Sequence, residues 1–157
     1  MSEASVVESN IEDIIEKEGV YASVTVGSSM RPLFKTHRDM IVLRKKDAIL
    51  NKYDVALYRI SGKYILHRVI GIDKARGVYI IRGDNTYKKE YIPFGKIIAV
   101  LVSFNRKGKH YDVADKKYRV YSVIWCAIYP IRYVSWIAWR ATRKILRMLF
   151  KKKSEVS

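Results

Sequence analysis

Apolar positions along this chain follow two periods. Between residues 1 and 19, Val7, Ile11, Ile14 and Ile15 recur at the three- and four-residue spacing that lines one face of a helix. Ser9 or Asn10 can cap that helix, Glu12 and Asp13 fall in its first turn where the dipole favours negative charge, and Gly19 stops it. From Tyr21 to about Asp112 the period drops to two and β-branched residues dominate. This predicts strands at 21–26, 40–44, 54–60, 64–71, 78–82 and 96–104. Asn51-Lys52, Ser61-Gly62-Lys63, Ala75-Arg76-Gly77 and Arg106-Lys107-Gly108-Lys109 supply turns between them, and Ser-Gly between two alternating runs is a hairpin signal. Six short strands so closely spaced imply a mainly β fold, a compact antiparallel sandwich or distorted barrel.

The pattern changes once more after Lys117. Val120 to Ile131 runs twelve residues without a charge, Arg132 interrupts, and Tyr133 to Trp139 is apolar again. Each piece falls short of the roughly 20 residues that cross a bilayer, and a span over 120–139 would carry the cost of Arg132. Beyond Pro130, Arg132, Arg140, Arg143, Lys144, Arg147 and Lys151 share one helical face, while Val134, Ile137, Ala141, Ile145, Met148 and Leu149 share another. With Trp125, Trp136, Trp139 and several tyrosines nearby, this is the make-up of an amphipathic helix that lies on an anionic membrane. The bland alternative is a helix resting on the domain with a solvated basic face. Three regions follow: an acidic helix (1–19), a β domain (20–117) and a basic helical tail (118–157).

Charge sharpens that division. The chain of 157 residues carries 31 Lys plus Arg against 15 Asp plus Glu, a formal charge of +16. Residues 1–18 hold six acids and one base, whereas residues 118–157 hold nine bases and one acid. So basic a body seeks phosphate on lipid or nucleic acid. Apolar residues at 49% are enough for a core and exclude a disordered polymer. A single cysteine, Cys126, excludes a disulfide framework and a multi-cysteine zinc site, and neither metal nor cofactor is expected. The N-terminus has no basic start and no unbroken apolar stretch, so it does not read as a signal peptide.

Three local features carry candidate chemistry. Gly27-Ser28-Ser29-Met30-Arg31-Pro32-Leu33 follows an apolar strand, where a serine at a turn can present its hydroxyl and Met30 can anchor it. His67-Arg68-Val69-Ile70-Gly71 sits in a strongly β segment, and a histidine with a reference pKa of about 6.5 can take a proton from serine. His37 and His110 lie in Lys- and Arg-flanked stretches and read as solvated loop residues. Arg82-Gly83-Asp84-Asn85, with Glu90 six positions past Asp84, offers an acid to orient the histidine. Taken singly, each has a commoner structural use: turn chemistry, a partly buried histidine, an Asx turn.

Taken in order they resemble a known family. Ser-Met-x-Pro, a His-Arg-Val-Ile-Gly run whose histidine stands 38 positions after Ser29, and Gly-Asp-Asn with its aspartate 17 further on resemble the type I signal peptidases. The likeness is to the archaeal and endoplasmic-reticulum branch, in which histidine replaces the lysine base. It spans about Val26 to Glu90, and Asp54-Val55-Ala56-Leu57-Tyr58 matches the family's acidic-then-apolar strand. The resemblance implies a serine endopeptidase that cuts signal or leader peptides after small side chains. Ser29 would be the nucleophile, His67 the base, and either Asp84 or Glu90 the third member.

Two departures accompany it. Gly27 stands where the family often has a serine that helps bind the oxyanion, so backbone N–H groups, that of Ser29 included, are expected to dominate there. No N-terminal anchor precedes Ser29, so membrane association is expected through the C-terminal segment, with the side of the membrane open. The partners expected are a peptide substrate, bound extended alongside residues 22–26, and anionic membrane. Nucleic acid is not favoured and the oligomeric state is left open. A self-cleaving repressor, which shares a Ser-Met box, would use lysine where His67 stands. From a different class, a non-enzymatic basic module binding membrane or nucleic acid would explain the charge but not the three boxes.

Overall fold

The computed structural model describes residues 11–154, with side chains described as far as residue 143. The caps expected at Ser9 and Asn10, and Val7, lie outside the described residues, as do the side chains of Lys144, Ile145, Arg147, Met148, Leu149 and Lys151.

Helix α1 (Ile11–Glu18) forms where the apolar spacing predicts it and buries Ile15. Gly19 closes it at φ 73°, its N–H donating to Ile15 O at 2.9 Å, a left-handed cap that glycine adopts without strain. Eight antiparallel strands follow: β1 (Val20–Val24), β2 (Met40–Lys45), β3 (Val55–Ile60), β4 (Lys63–Asp73), β5 (Val78–Arg82), β6 (Glu90–Pro93), β7 (Ile97–Arg106) and β8 (Lys109–Asp112). They form one sheet in the order β1-β2-β7-β3-β4-β5-β6, with β8 beside the far end of β7. The fold is therefore mainly β and antiparallel, as the pattern predicts, but the sheet is open rather than closed into a barrel.

The turns set the registers. Ile60 pairs with Lys63, and Ser61 and Gly62 adopt φ 49° and 78°; Arg106 pairs with Lys109, and Lys107 and Gly108 adopt φ 52° and 77°. Both are two-residue turns with two positive φ angles, the twist-matched hairpin geometry. Strands β6 and β8 escape the sequence pattern because four residues are too few to establish alternation. His110, expected in a loop, instead stands on β8, exposed, with Nδ1 at 3.0 Å from Asn105 Oδ1. The strand expected at 21–26 ends at Val24.

Strand β3 shows how the sheet makes two cores. Val55 and Leu57 join Met30, Phe34, Leu43, Leu101 and Phe104 on one side; Ala56 and Tyr58 join Val69, Tyr79, Ile81 and Ile92 on the other. Alternate residues of a strand face opposite ways, so a strand buried on both faces loses its polar alternation. The ladder to β7 slips one residue between Leu57 and Tyr58, and that of β4 with β5 slips between Val69 and Gly71. Such bulges bend a sheet locally.

Helices α2 (Lys116–Ala127) and α3 (Tyr129–Ser154) complete the chain, which divides into two compact units between Ser122 and Val123. In the second unit the break falls at Ile128, and Pro130 occupies the first turn of α3, where its missing N–H costs nothing. The guanidinium groups of Arg132, Arg140 and Arg143 lie over the rings of Trp125, Trp136 and Trp139 at 3.8, 4.5 and 4.6 Å. Ile131, Val134, Ile137 and Trp139 are exposed. Among the described residues, no helix is long and apolar enough to cross a membrane.

Candidate functional site

The serine turn is built as the chain leaves β1. Thr25 N donates to Asp39 O at 2.9 Å, His37 N donates to Thr25 O at 2.8 Å, and Thr25 Oγ1 donates to Lys35 O at 3.1 Å, so the two ends of the loop are tied together. Gly27 then takes φ 89°, a conformation that turns the backbone out of the sheet and that glycine tolerates best. The Thr36 hydroxyl donates to Gly27 O across the loop. Met30, Leu33 and Phe34 bury their side chains in the core below. Ser29 is left half-buried, with the apolar residue after it acting as its anchor.

His67 stands mid-way along β4, opposite Ala56 of β3. The two-residue turn at 61–62 fixes that pairing, which puts Tyr58 on the same sheet face one diagonal away. His67 Nδ1 lies 3.1 Å from Glu90 Oε2 and 3.1 Å from the Tyr58 hydroxyl, which itself donates to the same carboxylate oxygen. Glu90 opens β6 opposite Ile81 and so reaches His67 from two strands away. Burial pushes the His67 pKa below its ordinary value, because the imidazolium is poorly solvated; the charges of Glu90 and Asp84 oppose this. Burial, then the Glu90 carboxylate, raises that of the Tyr58 phenol.

The Gly83-Asp84-Asn85 turn supports both parts. Asp84 accepts two hydrogen bonds from Arg68, at 2.8 and 2.7 Å. The Arg68 side chain is 0% exposed, and its Nη1 also donates to Tyr53 O, Tyr118 Oη and Ser122 Oγ at 3.0, 3.2 and 2.8 Å. Burial disfavours that cation, yet Asp84 raises its pKa and keeps it charged. Asn85 N donates to Ser29 O at 2.7 Å, and Asn85 Nδ2 donates to Ser28 O at 3.2 Å. A Cβ on Gly83 would sit 2.8 Å from Ser29 O and 2.9 Å from His67 Nε2. The Ser29 backbone carbonyl and the Nε2 edge of His67 therefore both lie against Gly83, where only a residue without a Cβ leaves them room.

Of the two acids, Glu90 touches His67 and Asp84 touches Arg68. Ser29 and His67 line one cleft of about 380 Å³, whose other walls are mostly apolar and include Ile11, Val24, Val26, Met30 and Leu66. Among the described residues, no group of three or more His, Cys, Asp or Glu could hold a metal ion. A hydroxyl, an imidazole with its second nitrogen on a carboxylate, and an apolar cleft beside an edge strand are the parts of a nucleophilic site.

Sequence reasoning missed Tyr58, and it gave no structural role to Gly83, Arg68 or Asn85. The hairpin turn at 61–62 held the signal for Tyr58, since register alone puts residues 58 and 67 on one face. Compared with known proteins, the sequence matches no family model, and no curated protein is similar to it at a level that marks relationship.

Proposed function

We propose that this protein is a serine endopeptidase acting on signal or leader peptides at or near a membrane. The observation that carries the proposal is the position of His67, with Nδ1 against Glu90 and Nε2 turned toward the Ser29 turn over Gly83. His67 Nε2 takes the proton of the Ser29 hydroxyl while Oγ attacks the peptide carbonyl carbon. The tetrahedral intermediate collapses as Nε2–H passes that proton to the leaving amine, which departs as the new N-terminus. Water, deprotonated by His67, then splits the acyl-enzyme to a carboxylic acid and restores Ser29. The Ser29 backbone N–H is the assigned oxyanion donor, and Glu90 orients the ring and stabilises its cation.

The substrate class rests on the resemblance to type I signal peptidases. It is supported by the apolar cleft and by β1, which ends the sheet order among the described residues and so offers an edge to which an extended peptide could add. The Arg-over-Trp stacks and exposed apolar residues of the second unit support contact with an anionic membrane, which would raise the local concentration of membrane-bound substrate. Those same stacks favour one alternative, a non-enzymatic module binding anionic membrane or nucleic acid.

The test is cleavage of signal-peptide and leader-peptide substrates in liposomes by wild type, Ser29→Ala and His67→Ala. Loss of cleavage in both variants, with folding and vesicle binding intact, is the expected result. Equal turnover by all three would overturn the assignment.

A further inference from the structure

We infer that Tyr58 is a positioning residue of this site: its hydroxyl holds Glu90 and fixes the His67 proton on Nδ1, leaving Nε2 as the free base. The catalytic consequence rests on the peptidase reading; the placement of the proton does not. The argument is a count of protons and lone pairs. A phenol has one proton to give, and a carboxylate has none. Tyr58 lies against both the Glu90 carboxylate and His67 Nδ1, so its proton goes to Glu90. The Tyr58 oxygen then presents only lone pairs to Nδ1, and Glu90 Oε2 does the same from 3.1 Å. Two acceptors facing one ring nitrogen require that nitrogen to carry the hydrogen, so in the neutral ring Nε2 is bare.

The surroundings keep this arrangement in place. Tyr58 is 0% exposed, locked in the core beside Ala56, Val69 and Ile81, so its hydroxyl has little freedom to move away. The Glu90 side chain is 22% exposed and lies at the start of an edge strand, where a carboxylate left alone could rotate into water. The other charges near His67 are Asp84, in the turn after β5, and Arg68, which neighbours it in sequence; these two neutralise one another. The one charge of the Ser29 turn, Arg31, is exposed to solvent. Tyr58 is thus the buried fixed point of the His67–Glu90 pair.

Tyr58→Phe keeps the ring and removes the clamp. In full-length protein labelled with ¹⁵N-histidine, the ring nitrogens of His67 report the tautomer, with exposed His37 and His110 as internal references. Wild type is expected to give the Nδ1–H form near neutral pH. Tyr58→Phe is expected to give a mixture of tautomers, with kcat lowered about tenfold and KM changed less than about twofold, the scale of one lost hydrogen bond acting on the chemical step. A wild-type ring found as Nε2–H overturns the inference before any variant is made. So does a Tyr58→Phe protein with unchanged ring shifts and unchanged kcat. If the tautomer shifts as expected but wild type and Ser29→Ala turn over equally, the peptidase reading fails while the inference about Tyr58 stands.

Discussion

Asp84 and Glu90 are both acids near one histidine, yet the structure gives them different work, and stability should tell them apart. Asp84→Ala leaves the Arg68 guanidinium, 0% exposed, hydrogen-bonded only to the neutral Tyr53 O, Tyr118 Oη and Ser122 Oγ, with the Asp54 carboxylate acting on it without a hydrogen bond. Stranding one partner of a buried ion pair costs about 3–5 kcal/mol. At roughly 3–5 °C per kcal/mol for a unit of this size, Tm falls by about 10–20 °C. Glu90→Gln removes a charge whose side chain is 22% exposed, so Tm moves by no more than about 3 °C, while cleavage falls about 100-fold or more. Replacing both members of the buried pair, Arg68→Met with Asp84→Leu, removes the stranded charge and recovers most of the loss. Thermal melts by circular dichroism, with urea titrations at low temperature for the least stable variant, measure all four proteins. An Asp84→Ala protein melting within about 3 °C of wild type would refute the reasoning. So would a double variant no more stable than Asp84→Ala.

Three other outcomes are expected. Burial holds the His67 pKa below 6.5, so the acid limb of kcat/KM lies below pH 6.5. The stability tied to neutral His67 is full above that value and lost as pH falls through the folded pKa; His67→Gln removes that loss, and an acid limb at or above 6.5 would contradict it. Gly83→Ala places a methyl 2.8 Å from Ser29 O and 2.9 Å from His67 Nε2. It should cost about 1–3 kcal/mol in urea titration yet about 100-fold in turnover, and wild-type turnover would show that the spacing of the Ser29 backbone and the His67 ring at Gly83 does not matter to the reaction. Binding to vesicles containing phosphatidylserine should weaken with salt and with Arg132→Gln, Arg140→Gln and Arg143→Gln combined; unchanged sedimentation with vesicles would exclude the basic helix as the contact.

Much of this molecule is legible in its residues. Alternation locates six strands because one or both of their faces are apolar, and the Ser61-Gly62 turn announces its hairpin. Strands β6 and β8 are invisible because each is four residues long and held by its neighbour's ladder rather than by its own pattern. Ser29, His67 and Glu90 can be named from sequence, but choosing between Glu90 and Asp84 cannot be done there. The choice turns on where Arg68 points, and adjacent residues of a strand point to opposite faces: His67 toward Glu90, Arg68 toward Tyr118 and Ser122. Tyr118 and Ser122 carry no sequence sign of this role, since a tyrosine and a serine in a helix that opens on Lys116, Lys117 and Arg119 read as ordinary surface.

The boundary between Ser122 and Val123 has a practical meaning for anyone trimming the basic tail to obtain a more soluble protein. The change in composition invites a cut before Tyr118, where the apolar, basic segment begins. Such a truncation would take away two of the groups that saturate the Arg68 guanidinium and leave an incompletely solvated cation next to the Gly83-Asp84-Asn85 turn. Inactivity of that shorter protein would then say nothing about a need for lipid. Ending the chain after Ala127 keeps the whole of α2 and discards α3, and that shortened form separates the contribution of the basic C-terminal helix from the integrity of the site.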